Sequence, residues 1–231
     1  MTDPRVGVVC ALRSEARHLD RTAAAAASVR VAVTGMGAAA AGRGARQLLE
    51  AGATALVSFG LAGALDPQLT AGRIFVPREI TDPSGVLLPC SARWHARAAA
   101  ALAASGAATE GRLVSSAAPV AGVAAKAQLG RASGARAVDM ESHAIARVAA
   151  QAGVPFLALR VIIDEAGQEL PAAVVAATGA DGEVLTGRLL LALVRHPGAV
   201  LALWPLGRAY ARANRALAAL ATSGALELDA A

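Results

Sequence analysis

The chain has 231 residues, 55% of them apolar but only 3% aromatic, with 22 Lys+Arg against 17 Asp+Glu. That length fits one α/β domain, or a domain plus an extension, and the alanine-rich apolar fraction suits close packing of helix on sheet. The net charge of +5 and pI near 10.5 come from scattered residues without a dense basic run, and so few rings are present to stack bases that nucleic-acid binding is disfavoured.

Met1–Arg5 leads straight into a strand at Val6–Ala11, with no basic-then-apolar leader. A helix from Ser14 carries Glu15. Val29–Thr34 reads as a second strand ending in Thr34-Gly35-Met36-Gly37, followed directly by a helix over Ala38–Ala51. Ala55–Phe59 is a third strand leading into Gly60-Leu61-Ala62-Gly63-Ala64. Arg73–Ile80 reads as a strand, 82–95 as a loop, Trp94–Ala104 as a helix and Gly111–Ser115 as a strand. A short helix over Lys126–Ala132 follows, on which Lys126 reads as a solvated side chain or an anion contact. Cys10 packs in the first strand, and both it and Cys90 read as reduced thiols of a cytosolic protein. His18, His95, His143 and His196 lack ligand spacing, so no metal site is expected.

The segment Ala137–Asp164 is the most informative. In Asp139-Met140-Glu141 two acids flank an apolar residue, so in extended chain both leave one face. Ala144, Ile145, Val148 and Ala149 recur at helical spacing, and Gly153 and Pro155 close the helix. Phe156–Ile163 is a nearly continuous apolar run, as for a strand covered on both faces. It ends on Asp164. Ligands of open α/β sheets sit outside the carboxyl ends of strands, which makes Asp164 a candidate reacting group. A lone acid there is as often a helix cap, but three acids in one strand–helix–strand unit favour a site. Beyond it, Val184–Ala221 is strongly helical, with breaks at His196-Pro197-Gly198 and Pro205. Its apolar run Leu189–Val194 lies between Arg188 and Arg195, and no charge-free window reaches the ~20 residues that span a bilayer. Two readings stand: core helices covering the sheet, or an Arg-flanked surface resting on a membrane.

Val138-Asp139-Met140-Glu141 and Arg160-Val161-Ile162-Ile163-Asp164 resemble the V-E-M-E and R-x-x-S-D motifs of the purine nucleoside phosphorylase and nucleosidase superfamily, in particular 5'-methylthioadenosine/S-adenosylhomocysteine nucleosidase. Ala137–His143, Ala158–Ile162, Leu170-Pro171-Ala172-Ala173 and Arg195-His196-Pro197-Gly198 are similar to the A-V-D-M-E-S-H, A-L-R-V-I, L-P-P-A and R-R-P-G blocks of hopanoid-associated phosphorylases. The resemblance runs from Val6 to about Ala221. It implies a single-domain α/β nucleoside phosphorylase-like fold, a central mixed β-sheet flanked by helices. Residues 1–183 would form the catalytic domain and 184–231 a helical C-terminal extension packed on it.

Cleaving a purine N-glycosidic bond requires protonating the leaving base, stabilising a ribosyl cation-like transition state, and capturing it. Asp164 resembles the acid that serves purine N7, and burial should keep its proton on near neutrality. Ile163 stands where the family has Ser. Glu141 resembles the Glu that accepts from both ribose hydroxyls, and its charge lies near the developing cation. Met140 corresponds to the Met packed on the ribose, with Asp139 beside it. Glu15, in Ala11-Leu12-Arg13-Ser14-Glu15, resembles the A-M-x-x-E Glu that activates water. Gly35 and Gly37 match S-G-x-G at a helix N-terminus, where anions are favoured. Gly60-Leu61-Ala62-Gly63 matches G-S-A-G with Leu61 for Ser. Ser116-Ala117-Ala118-Pro119-Val120 replaces a Phe-bearing purine loop, leaving Val120 against the substrate.

The resemblance implies adenosylhopane as substrate, giving phosphoribosylhopane or ribosylhopane plus adenine. An ordinary methylthioadenosine/S-adenosylhomocysteine nucleosidase is the enzyme alternative, and a silent nucleoside- or lipid-binding module the alternative of another class. No cofactor is implied. Phosphate stays open as co-substrate: phosphorylases carry Arg where Glu15 stands, so Arg43 or a neighbouring subunit's Arg would hold it. The expected assembly is a homodimer or higher oligomer, cytoplasmic, with peripheral contact at the inner membrane face.

Overall fold

The structure, a computed structural model, describes residues 5–20, 28–169 and 199–228. Its elements are β1 (Val6–Cys10), α1 (Arg13–Ala16), β2 (Val29–Val33), α2 (Ala38–Glu50), β3 (Ala55–Ala64), β4 (Ile74–Phe75), β5 (Glu79–Thr81), β6 (Leu87–Pro89), α3 (Ala92–Ala101), a 3-10 turn at Ala103–Ser105, β7 (Arg112–Ser115), α4 (Val123–Ser133), β8 (Ala135–Asp139), α5 (Ser142–Ala152), β9 (Phe156–Asp164) and α6 (Ala199–Ala221). This is the expected α/β architecture, a mixed sheet flanked by helices.

Along the sheet the strands run β2-β1-β3-β8-β7-β5-β6, while β9 pairs β3 and β4. β1 is parallel to β2 and β3, and β9 is parallel to β3 along most of its length. The two-sided burial of β3 and β9 explains their sequences: eight of nine β9 residues are buried, so neither face needs polar residues. Each fully buried Leu, Ile or Phe there contributes about 1.5–3 kcal/mol of transfer free energy. Small residues set the helix layer. α2 packs on α5 and β1, and at Gly42 an added Cβ would lie 4.0 Å from Ala144 Cβ.

Several boundaries differ from the sequence reading. β3 does not stop at Phe59 but continues through Gly60-Leu61-Ala62-Gly63, because β9 supplies hydrogen-bonding partners along that length. The expected strand Arg73–Ile80 is two short strands broken around Pro77, which has no N–H for a ladder. Inside the expected loop, Leu87–Pro89 pairs with β5, and α3 starts earlier because Ser91 Oγ accepts from Trp94 N at 3.5 Å. α6 runs through Pro205 without a break. It packs on β9 and β4, and Ala213, Leu217 and Leu220 join the main core. Leu189–Val194, the Leu170–Ala173 and Arg195–Gly198 motifs and the boundary at 183/184 lie outside the described residues. No helix among the described residues is long and apolar enough to cross a membrane.

Candidate active site

The site lies where β3 changes partners. Over Leu56–Ala62 it runs alongside β9; a register shift follows between Ala62 and Gly63. Beyond the shift, Gly63 pairs both Asp164 of β9 and Val138 of antiparallel β8. One strand therefore brings the end of β9 and the Asp139-Met140-Glu141 segment to a single place. Gly63 is required there by close approach, since an added Cβ would sit 3.1 Å from Asp164 Oδ1.

A cavity of about 170 Å³ opens at this fork. Of the residues singled out in the sequence, Glu15, Leu61, Val120, Asp139, Met140, Glu141 and Asp164 line it. Gly37 and Gly60 stand behind the lining. Gly37 N donates to Glu141 Oε1 at 2.8 Å, and a Cβ at Gly60 would lie 2.7 Å from Glu15 Cδ and 2.8 Å from Arg160 Nη1. Gly35 and Arg43 are not among the lining residues, and Arg43 is exposed on α2. Met36, Ala62, Pro119 and Ile163 complete an apolar wall.

Four buried acids and two buried cations set the electrostatics. Glu15 is held at both oxygens, Oε2 accepting from Leu12 N and Oε1 from Leu61 N, each at 3.0 Å. Burial raises its carboxyl above the ordinary range, against the opposing pull of Arg160. Glu141 is pushed up to about 7, first by burial and then by the Asp139 carboxylate, with Arg160 and the Gly37 N–H acting the other way. Asp164 is also raised by burial, partly offset by Lys126.

Asp139 faces inward. It pairs with Arg160 at 2.5 Å, accepts from Ser115 Oγ at 2.5 Å, and accepts from Ser142 N at 3.1 Å at the start of α5. The helix-capping reading of these acids thus holds for Asp139, whose carboxylate has little left to offer a ligand. Glu141, next along, is left free of that task.

The sequence assigns Arg160 no role, and it leaves Lys126 between a solvated side chain and an anion contact. Arg160 Nη2 also donates to Ser58 Oγ at 2.5 Å and to Ser142 Oγ at 2.9 Å, while its Nε has no partner. Burial opposes its charge, but Asp139, Glu141 and Glu15 outweigh it and raise the guanidinium above its ordinary value. The signal was present: a charge inside an apolar strand buried on both faces requires a carboxylate partner. Lys126 corrects the expectation of a solvated side chain. It is fully buried and paired with Asp164, and it is the only lysine among 22 Lys+Arg. Among the described residues no group of His, Cys, Asp and Glu could hold a metal ion.

The cavity thus gathers three buried carboxyls, of Glu15, Glu141 and Asp164, able to accept from hydroxyl groups and to take up or give up a proton. A model of the phosphorylase superfamily matches residues 16–195. No curated protein matches the chain. Among solved structures, it is similar to S-adenosylhomocysteine nucleosidase from Streptococcus pyogenes, with 21% identity over 72% of this chain and 86% of that one and a TM-score of 0.64. Futalosine hydrolase of Helicobacter pylori gives 18% identity, 81% and 97% coverage, and 0.66. The 5'-methylthioadenosine/S-adenosylhomocysteine nucleosidase from Helicobacter pylori gives 16%, 95% and 98%, and 0.68. At these identities the likeness is one of fold.

Proposed function

The chain belongs to the phosphorylase superfamily of enzymes, and from that premise we propose that it cleaves the N-glycosidic bond of an adenine nucleoside, with adenosylhopane as substrate and water as nucleophile. The observation that carries the bond cleavage is the convergence of Glu15, Glu141 and Asp164 on one cavity. In this reading Glu141 accepts from the ribose hydroxyls and Met140 packs on the sugar. Asp164 delivers a proton to the base as the C–N bond breaks. Residues 1–183 carry the chemistry, and 184–231 form an extension on the same domain.

Water is favoured over phosphate by two features. Glu15, a buried acid, faces the place where an attacking group must sit, and a carboxylate repels a dianion while suiting general-base work. Among the described residues the groups that could meet an anion here are otherwise used: Arg160 is engaged with Asp139 and two serines, Lys126 is paired with Asp164, the Gly37 N–H is taken by Glu141, and Arg43 is exposed and does not line the cavity. The product would then be ribosylhopane rather than its phosphorylated form.

The substrate assignment rests on the sequence blocks similar to hopanoid-associated phosphorylases, supported by the apolar wall of Met36, Leu61, Pro119, Val120 and Ile163. A second reading, methylthioadenosine or S-adenosylhomocysteine hydrolysis, draws on the likeness of fold to nucleosidases. Incubating the purified protein with adenosylhopane, methylthioadenosine or S-adenosylhomocysteine, and measuring adenine, separates the readings. Release from the lipid alone supports the first and preference for methylthioadenosine the second; no adenine from any of them leaves a binding module. We further propose a homodimer working at the inner membrane face.

A further inference from the structure

Lys126 projects from α4 into the end of β9. Its ammonium donates to Asp164 Oδ2, to Glu165 O at 2.9 Å and to Gln168 O at 2.9 Å. An ammonium carries three hydrogens, so every one is used. In a chain that otherwise uses arginine for positive charge, this one position has lysine. The guanidinium is a flat fork, whereas an ammonium spreads its donors around a point charge, which suits one carboxylate and two carbonyls. Asp164 Oδ1 has no hydrogen-bond partner among the described residues, and Asp164 borders the cavity.

We propose that Lys126 is a positioning residue for the leaving-base acid: by holding Oδ2 it presents Oδ1 to the base, and its charge sets the pH at which Asp164 gives up its proton. This rests on the reading of Asp164 given under Proposed function. The carboxyl proton passes from Asp164 to N7 of the purine as the C–N bond breaks, and the bonding electron pair leaves with the base. Asp164 becomes a carboxylate facing the Lys126 ammonium, and solvent restores the proton after release. Burial keeps the proton on before reaction, and Lys126 stabilises the charge that develops as it departs.

Other charged groups nearby are turned elsewhere. Arg160 faces Asp139, Glu141 and Glu15. The Glu165 carboxylate accepts from Ala71 N at 3.1 Å. Lys126 is the charged group that acts on Asp164.

The sign follows. A protonated acid is active below its pKa, so activity falls on the alkaline side as Asp164 ionises. Lys126 favours the ionised form, so Lys126→Met should move the alkaline limb of adenine release upward by about one pH unit or more. Loss of the held geometry should lower kcat by roughly 10- to 100-fold, with KM changed much less. Lys126→Arg keeps the charge and loses the three-way contact, so its limb should stay near that of wild type while kcat still falls. A merely structural lysine would lower activity without moving the limb, and that result overturns the proposal.

A measurement on the unmodified protein guards against variants that fail to fold. Because Lys126 is the only lysine, lysine labelled at Cε and Nζ gives one side-chain signal. That signal should step at the midpoint of the alkaline limb, and the step should vanish in Asp164→Asn. A signal flat through the limb overturns the proposal. Wild-type protein that releases no adenine from any adenine nucleoside would instead overturn the functional reading. Adenine release with an unshifted limb in a folded Lys126→Met protein would overturn the role of Lys126 alone.

Discussion

Leu61 donates its backbone N–H to Glu15 Oε1 at 3.0 Å. The side chain that replaces the family's serine is therefore not what Glu15 uses. The bond depends on the backbone of β3, and any residue at 61 other than proline could donate it.

Glu15 should be the base that activates water. Glu15→Gln keeps the size and one of the two backbone bonds, through its amide oxygen, while its NH2 cannot accept the other N–H and the side chain cannot take a proton. Its turnover should fall by a factor on the order of 10²–10⁴. Wild-type adenine release should be unchanged from zero to millimolar phosphate. Absolute dependence on phosphate, with a phosphorylated sugar product, would refute this role for Glu15.

Asp164→Asn should lose turnover by a similar factor, on the order of 10²–10⁴, while nucleoside still binds. Single-turnover adenine release beside equilibrium binding measures both. Near-wild-type turnover in the Asn protein would remove Asp164 as the acid.

Glu141 supplies a pH prediction with a worked sign. Its carboxyl is raised from 4.5 to about 7, so the contribution to stability is fully present below about 4.5 and is lost as pH rises through about 7. Glu141→Gln removes that loss. Its Tm should exceed that of wild type at pH 8 by about 2–8 °C and match it at pH 5. The same variant should bind nucleoside weakly and turn over slowly, since the ribose contacts persist from ground state to transition state. In the wild type, kcat/KM should climb as pH rises through about 7. Calorimetry at the two pH values and a pH–rate profile check this, and normal nucleoside binding by the Gln protein would contradict the ribose role.

Arg160→Met should destabilise the fold by about 3–5 kcal/mol, because Asp139 would be left buried without its cation. Denaturant unfolding measures this. A variant as stable as wild type would show that Asp139 is satisfied without the guanidinium.

The protein should be at least a dimer at micromolar concentration. Light scattering giving only the monomer mass would overturn that expectation.

Much of this arrangement was legible in the sequence, for identifiable reasons. The β8–α5–β9 unit carries a period-3.6 pattern over α5 and a nearly continuous apolar run over β9, which place those two elements to within about two residues. The acids at its edges stand out against an apolar background. The run of β3 past Phe59 was not legible, since glycines at that point signal a turn unless a partner strand is known to lie alongside. Lys126 was misread because local pattern places a lysine on a helix without showing what the helix end faces. The inward turn of Asp139 was hidden for the same reason: in Asp139-Met140-Glu141 alternation puts both acids on one face, whereas the chain bends into α5 between them.

The fork of β3 divides the cavity by origin. Asp164 and Glu141 lie at or just beyond the ends of paired strands, and Glu15 is held by one hydrogen bond to the backbone of β3 and one to Leu12 N, whereas Met36, Pro119 and Val120 come from segments that follow β2 and β7. Bond breaking and choice of substituent can thus be altered independently. Segment 117–120 can change in length or bulk, and so admit a different 5' group, while Ser116 keeps its N–H on Asp139 O at 2.7 Å and the ladder holds the acids. A lineage, or an engineer, could redirect such an enzyme to a new nucleoside by rewriting one loop.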